Sequence, residues 1–181
     1  MNRNLKIAHL NIHCLEPKVD QVQIYLYKHD FDILALSETF LCENISDAQV
    51  NIEGYKLYRK DRVGRIGGGV AFYVKDGIEA IPEVKLNDSD IEALWLRLVY
   101  PFRPPILICC MYRPPNSSTQ YYDKMLEVID ASINITEDII ILGDLNFNYV
   151  IDENLSKNPI HYIENLYNLH QLVTSPTRVT P

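Results

Sequence analysis

The sequence predicts a mixed α/β fold, arranged as a four-layered α/β sandwich of two mainly antiparallel sheets flanked by helices. Two observations predict this class. Strand-like apolar runs alternate with amphipathic helical segments near both ends of the chain, which allows helical crossovers there. In the middle, strand-like segments follow one another without helices between them, and their hairpin-length spacings favour antiparallel pairing.

Length and composition indicate a globular protein, and we expect a single domain over residues 1–181. The chain is 47% hydrophobic and 23% charged, and no apolar run reaches the roughly 18 residues that a membrane helix requires. The four cysteines are scattered and are expected to be reduced thiols. No signal-peptide pattern is visible, so we expect an intracellular protein, nuclear or cytoplasmic, that is neither secreted nor membrane-bound.

Two strands and one helix are predicted before residue 40. Lys6–Leu10 and Asp32–Ser37 are short, largely apolar runs of strand length. Residues 17–28 between them are predicted to form a helix. Its apolar face consists of Val19, Val22 and Leu26.

The middle of the chain contains three further predicted strands. Residues 69–74 begin with the last glycine of a triplet, which indicates a hairpin turn before the strand. Residues 91–100 alternate in polarity, and residues 106–112 form a continuous apolar run. The basic segment 59–65 is interpreted as a solvated loop, with contact to a phosphate backbone as the alternative.

A helix, a strand and a second helix are predicted in the last third of the chain. The helix has the apolar spacing of Tyr122, Met125, Leu126, Ile129 and Ile133. A buried strand follows at 139–142, and a last helix is predicted over about 159–170.

Polar side chains follow three of the predicted strands. Asn11 and His13 follow the first, Glu38 follows the second, and Asp144 and Asn146 follow the strand at 139–142. Ligand sites gather at the carboxyl ends of strands, and carboxylate and amide oxygens suit Mg²⁺. Each residue alone is better explained as a turn residue. The combination of Glu38, Asp144 and Asn146 favours a functional site.

A fourth polar strand end is the segment Tyr112 to Asn116. A phenol and the Arg113 guanidinium could hold a phosphate, or the segment could be a proline-stiffened turn. The formal net charge of −7 argues against nucleic-acid binding by bulk charge. It is compatible with a site that brings a metal ion to a phosphate.

Five motifs occur in an order that resembles the endonuclease/exonuclease/phosphatase family. The likeness is greatest to the apurinic-type endonuclease domain of non-LTR (LINE-type) retrotransposons, and it covers essentially the whole chain. The motifs are His9-Leu10-Asn11-Ile12, Leu36-Ser37-Glu38-Thr39, Gly67-Gly68-Gly69-Val70-Ala71, Met111-Tyr112-Arg113-Pro114-Pro115-Asn116 and Gly143-Asp144-Leu145-Asn146-Phe147.

The resemblance implies Mg²⁺-dependent hydrolysis of a DNA phosphodiester, with Mn²⁺ as a possible substitute. It implies that Glu38 binds the metal and that Asn11 assists on the same side. Tyr112 would contact the scissile phosphate. Asp144 would position or deprotonate the attacking water, and Asn146 would orient that water and stabilise the transition state.

Weaker candidates for phosphate or DNA contact are Arg113, Asn116 and His13. The implied partners are DNA and, in a full-length gene product, a downstream reverse transcriptase domain. No membrane partner is expected.

One feature departs from the family pattern, because the sequence contains no Ser-Asp-His motif. We therefore expect a domain that is incomplete at its C-terminus, with its last strands missing and its activity impaired. Two alternatives remain. The chain could be a catalytically inactive remnant or interaction fragment, or it could be a phosphatase or small phosphodiesterase of the same family.

Overall fold

The computed structural model describes residues 4–87, 90–147, 158–175 and 177. The chain divides into two compact units, residues 1–145 and 146–181. Both sheets belong to the first unit. The single domain expected over 1–181 stays a prediction.

The first sheet has four strands and one helical crossover. β1 (Ile7–Asn11) pairs in parallel with β2 (Ile33–Ser37), and α1 (Val19–His29) connects them. β4 (Val70–Lys75) lies antiparallel between β2 and β3 (Tyr55–Lys60), giving the order β1-β2-β4-β3. The parallel pair requires the helix, because a tight turn can join only antiparallel strands.

The second sheet repeats this combination of two antiparallel pairs and one parallel pair, in the order β5-β6-β7-β8. Its strands are β5 (Ala80–Pro82), β6 (Glu92–Leu98), β7 (Ile106–Tyr112) and β8 (Ile139–Asp144). A short helix, α2 (Val84–Asn87), lies between β5 and β6, and α3 (Thr119–Ile133) connects the parallel strands β7 and β8. The Ser118 side chain accepts from the Tyr121 N–H and caps α3.

The main hydrophobic core lies between the two sheets. Alternate residues of each strand point to opposite faces, so a second core forms where α1 covers the outer face of the first sheet. The core between the sheets includes Ile33, Phe72, Val74, Leu96 and Ile108. The outer core includes Val22, Leu26, Leu34, Leu36 and Tyr73. The predicted fold class, two sheets flanked by helices, is confirmed.

The structure contains elements that the sequence did not predict: β3, β5 and α2. β3 is an edge strand with three charged residues, Lys56, Arg59 and Lys60, and its buried Tyr55 and Tyr58 lie on opposite faces, so the sequence shows no apolar alternation. Charged side chains are a common feature of edge strands, where they discourage pairing with other chains.

The interpretation of residues 59–65 as a solvated loop is wrong for part of the segment. Arg59 belongs to β3, donates to the carbonyl oxygens of Cys42 and Ile45, and pairs with Asp47. Arg62 pairs with a carboxylate of the second sheet, as described below.

The second unit contains α4 (Pro159–Tyr167), close to the helix predicted over 159–170. The Asn158 side chain accepts from the Ile160 N–H at 2.9 Å, and Asn168 ends the helix with a left-handed backbone. In the described parts of the chain, no helix is long and apolar enough to cross a membrane.

Candidate active site

The registers of the two parallel strand pairs gather the predicted polar residues at one edge. Asn11 is opposite Ser37 in the last pair of the first sheet's parallel strands, and Glu38 is the next residue along the chain. In the second sheet Tyr112 is opposite Asp144. Because parallel strands end at the same edge, each pair contributes two neighbouring side chains.

The amide of Asn11 joins the carboxylates of the two sheets. Its Nδ2 donates to Glu38 Oε1 at 2.8 Å and to Asp144 Oδ2 at 3.0 Å. The amide nitrogen faces the carboxylates, since an amide oxygen in that place would repel both. Asn11, Glu38 and Asp144 are therefore within hydrogen-bonding reach of one point, although Asp144 is 133 residues from Asn11 in the sequence.

The loop that carries Glu38 has an unusual backbone. Glu38 and Phe40 have positive φ angles of 54° and 56°, and Cys14 in the facing loop has 76°. Residues other than glycine rarely adopt a positive φ, and those that do are concentrated at functional sites. The Glu38 carbonyl accepts from the Cys14 N–H at 2.9 Å, which fixes the two loops to each other.

Tyr112 is buried beside Glu38. Burial raises the pKa of the phenol to about 12, and the negative charge of Glu38 together with a hydrogen bond to its carboxylate adds to the shift. The phenol is therefore protonated at neutral pH and donates its one hydrogen bond to the Glu38 carboxylate.

His9 belongs to β1 and is two residues before Asn11. Its Nε2 is 3.1 Å from Ser37 Oγ, and Ser37 is fully buried. Burial lowers the pKa of His9 to about 4, against the opposing attraction of Asp144. His9 is consequently a neutral ring at neutral pH.

Two charged residues near Tyr112 were missed. Arg62 Nε donates to Glu92 Oε1 at 2.8 Å, and the Arg62 guanidinium lies 5.6 Å from the centroid of the Tyr112 ring. Glu92 is the first residue of β6 and is almost fully buried. The sequence shows Glu92 only as an acidic residue near the start of a predicted strand. Its partner Arg62 is 30 residues away, so no local pattern indicates the pair.

Three weaker candidates are near the site but are engaged in local structure. Arg113 Nη1 donates to the Leu145 carbonyl at 3.3 Å, and its N–H donates to the Asp144 carbonyl at 3.0 Å. Asn116 has a positive φ of 61° in an exposed turn. The exposed ring of His13 lies 4.9 Å from that of Phe40. Their contacts with phosphate or DNA stay predictions.

Asn146 is two residues beyond the end of β8 and has a left-handed backbone with φ 49°. It begins the second compact unit. Its role in orienting a water stays a prediction.

The donor set of the site fits a hard divalent cation. Two carboxylates meet at the Asn11 N–H₂ group, and Mg²⁺ typically binds one or two carboxylates while it keeps several waters. Among the described residues, no group of three or more His, Cys, Asp and Glu side chains is arranged as a metal site. A cage made entirely of protein ligands, as at a structural zinc site, is therefore not found in this part of the chain.

Comparison with protein families gives one match. The model of the Endonuclease/Exonuclease/phosphatase family matches residues 8–163. No curated protein sequence was found to match the chain.

Solved structures with the same fold include the following three. The endonuclease domain of TRAS1, a telomere-specific non-LTR retrotransposon, has a TM-score of 0.59 and 14% identity, over 80% of this chain and 61% of that chain. The catalytic domain of Xenopus laevis APE2 has a TM-score of 0.65 and 18% identity, over 90% and 67%. The 3′ phosphatase NExo from Neisseria, bound to a product DNA hairpin, has a TM-score of 0.57 and 18% identity, over 83% and 60%.

The TM-scores show a shared fold, and the identities are too low to show more than that. The chain spans about three-fifths of the length of the TRAS1 and Neisseria proteins.

Proposed function

The chain belongs to the endonuclease/exonuclease/phosphatase family, and from this premise we propose that it hydrolyses phosphodiester bonds of DNA with Mg²⁺ or Mn²⁺. Nucleases and phosphatases share one chemistry, the hydrolysis of a phosphate ester. The TRAS1 domain is an endonuclease, and the likeness to it supports DNA as the substrate.

A single observation carries this proposal. The Asn11 amide lies between the Glu38 and Asp144 carboxylates, at 2.8 and 3.0 Å, and the buried Tyr112 phenol lies beside Glu38. Two carboxylates gathered at one point repel each other, and a bound cation relieves that repulsion. The arrangement therefore favours a divalent metal at this pair of carboxylates.

We assign the metal to Glu38, with assistance from Asn11. A metal bound there would counter the negative charge that develops on the phosphate. The Tyr112 hydroxyl would redirect its hydrogen bond from Glu38 to a phosphate oxygen in the same region. Asp144 would accept the proton of the attacking water, and Asn146 would orient that water.

Nicking of supercoiled plasmid DNA tests the proposal. We expect relaxation in Mg²⁺ or Mn²⁺ and none in EDTA. Glu38→Gln and Asp144→Asn should each lower the rate on the order of 10²-fold or more, which is typical for loss of one transition-state contact. Asp76→Asn is the matched control, because Asp76 is exposed and follows the opposite end of β4.

The result can contradict the proposal in two ways. Glu38→Gln and Asp144→Asn proteins that nick as fast as the parent would remove both carboxylates from the mechanism. A folded parent that nicks no DNA in either metal would favour the inactive remnant or interaction fragment instead.

A second candidate function is hydrolysis of small phosphate esters. The net charge of −7 favours it, since a polyanion such as DNA is repelled by an acidic protein at long range. The same preparation should then turn over p-nitrophenyl phosphate or a nucleoside monophosphate faster than DNA. A ratio of kcat/KM in favour of DNA, lost in Glu38→Gln, would exclude this candidate.

We also propose that the chain acts together with a reverse transcriptase, as the likeness to a retrotransposon domain suggests. Sequencing of the transcript should find an in-frame reverse transcriptase downstream. A transcript without one would contradict this assignment and would leave the proposed hydrolysis unaffected.

A further inference from the structure

Arg62 and Glu92 form an ion pair at the rim of the candidate site. Arg62 Nη2 lies 2.6 Å from Glu92 Oε1, and the two side chains are only 15% and 11% exposed. A pair this far removed from water depends on both partners, because either charge alone would be desolvated without compensation. Arg62 is therefore fixed in place, unlike the exposed arginines that usually contact a nucleic-acid backbone.

Each partner also contacts a different part of the site. Burial lowers the pKa of Arg62, but the hydrogen bond and charge of Glu92 and the contact with Tyr112 raise it above its usual value. The guanidinium over the Tyr112 ring is placed for a cation–π contact. Arg62 thus contacts Tyr112 through its guanidinium, by a cation–π contact with the ring and by a hydrogen bond to the hydroxyl.

The second oxygen of Glu92 binds the first sheet. Glu92 Oε2 accepts from the Gly69 N–H at 2.6 Å. The Gly69 carbonyl accepts from the Thr39 N–H at 3.2 Å, and the Gly68 carbonyl accepts from the Phe40 N–H at 2.9 Å. Glu92 is consequently connected to the residues that directly follow Glu38.

We infer that Arg62 and Glu92 are positioning residues that align Tyr112 and the Glu38 loop with each other across the two sheets. The inference rests on the proposed function, since it concerns the same site. Glu92 connects these two parts of the site, because Oε1 pairs with Arg62, which lies over the Tyr112 ring, and Oε2 accepts from the Gly69 N–H on the Glu38 side. Neither residue touches the reacting atoms.

Steady-state kinetics on DNA of the Arg62→Gln and Glu92→Gln proteins tests the inference. We expect kcat to fall about 10- to 100-fold at saturating Mg²⁺, with little change in KM, because small misplacements of catalytic groups have effects of that size. Arg62→Lys should recover part of the thermal stability but little of kcat, since an ammonium lacks the planar fork and stacks poorly. The affinity for Mn²⁺, measured by calorimetry without substrate, should also weaken in Glu92→Gln.

Arg59→Gln is the matched control. Arg59 is 14% exposed, lies on the same segment and pairs with Asp61 and Asp47. Its loss should lower stability without changing kcat or Mn²⁺ affinity. If all three variants lose kcat only in proportion to the unfolded fraction, the pair is merely structural and the inference is wrong. A rise in KM at constant kcat would instead make Arg62 a DNA-binding residue, which also overturns it.

A measurement that needs no activity separates this inference from the proposed function. The Tyr112 ring is buried under Arg62, so nitration by tetranitromethane, followed by mass spectrometry, should modify it slowly in the parent. Arg62→Gln should nitrate Tyr112 several-fold faster, and Arg59→Gln should not. Unchanged nitration in Arg62→Gln overturns the inference, whereas a parent that neither nicks DNA nor binds Mn²⁺ overturns the proposed function alone.

Two glycines offer a second matched comparison. A Cβ on Gly68 would lie 2.3 Å from both Arg62 Cζ and Glu92 Oε2, whereas a Cβ on Gly64 would meet nothing within 4 Å. Their φ angles are similar, +70° and +77°, so alanine adds similar backbone strain at both positions. Gly68→Ala should therefore reproduce the loss of kcat seen in Arg62→Gln, and Gly64→Ala should keep the parent kcat. Equal kcat in the two alanine variants would contradict the inference.

Discussion

The Tyr121 hydroxyl donates a hydrogen bond to the Tyr112 carbonyl at 2.9 Å and accepts one from the Glu92 N–H, also at 2.9 Å. One side chain of α3 thus connects the end of β7 to the start of β6. Burial raises the pKa of Tyr121 to about 12, so the hydroxyl keeps its proton at neutral pH and can make both bonds.

Tyr121→Phe should lower the free energy of unfolding by about 1–3 kcal/mol, because it leaves a buried N–H and a buried carbonyl without a partner. Urea denaturation at pH 7 measures the change. Tyr25→Phe is the control, since the Tyr25 ring is 40% exposed on α1, and it should change stability by less than about 0.5 kcal/mol. Equal stability of the two variants would contradict the connecting role of Tyr121.

Gly143→Ala should prevent the parallel pairing of β7 and β8. A Cβ at Gly143 would lie 1.8 Å from the Met111 carbonyl oxygen, and the φ of +144° already disfavours a side chain. Since the obstacle is backbone rather than a flexible side chain, we expect a loss of more than about 3 kcal/mol or an insoluble protein. Thermal unfolding and soluble yield measure this effect.

Gly77→Ala is the comparison, because a Cβ there would meet nothing within 4 Å although φ is +88°. It should fold and lose only the cost of its backbone conformation. A soluble Gly143→Ala protein with the same melting temperature as Gly77→Ala would show that β8 does not pack against β7 in this register.

The sequence predicted the strand ends of the site, but it could not predict the residues that hold them in place. Asn11, Glu38 and Asp144 follow apolar runs of strand length, and this local pattern can be recognised from the sequence alone. The Arg62–Glu92 pair depends on how the two sheets face each other. That relationship is tertiary and leaves no local periodicity.

The glycine triplet illustrates the same difference. A hairpin turn explains why glycines precede β4, and their positive φ angles agree with it. The reason for glycine at position 68 in particular is the close approach of Arg62 and Glu92, which only the structure reveals.

The four cysteines should differ sharply in reactivity. Cys42 is exposed, whereas Cys109 and Cys110 are fully buried in β7, and burial raises the pKa of both thiols. Iodoacetamide at pH 8 should therefore label Cys42 within the native protein and leave Cys109 and Cys110 unmodified until urea is added. Mass spectrometry of tryptic peptides reads this directly. Native labelling of Cys110 would show that its side chain is not buried in the core between the two sheets.

Alkaline pH should destabilise the protein through its buried tyrosines. Burial raises the pKa of Tyr73 above its ordinary value of 10.0, and its hydroxyl donates to the Val50 carbonyl. Above pH 10 the unfolded chain releases this proton while the folded chain retains it, so the free energy of unfolding falls as pH rises. The contribution of Tyr73 is fully present below pH 10.

Tyr73→Phe should make this decline shallower, by up to about 1.4 kcal/mol per pH unit for one proton. Urea denaturation at intervals between pH 9 and pH 11.5 gives the slope. Tyr25→Phe should leave the slope as it is in the parent. If Tyr73→Phe also leaves it unchanged, the Tyr73 phenol ionises equally in both states and is not buried.

Asn11→Asp should make the thermal stability of the protein depend more strongly on a bound cation. The Asn11 N–H₂ group donates to both Glu38 and Asp144, so a carboxylate there would replace two attractions by two repulsions. In EDTA the melting temperature should therefore fall below that of the parent. Added Mg²⁺ binds the folded state and should raise it by more than in the parent, because a third carboxylate is a stronger ligand for a hard cation. Asn51→Asp adds the same charge at an exposed position outside the site and should show neither effect. A Mg²⁺-induced shift that is no larger in Asn11→Asp than in Asn51→Asp would contradict a metal bound at Glu38 and Asn11.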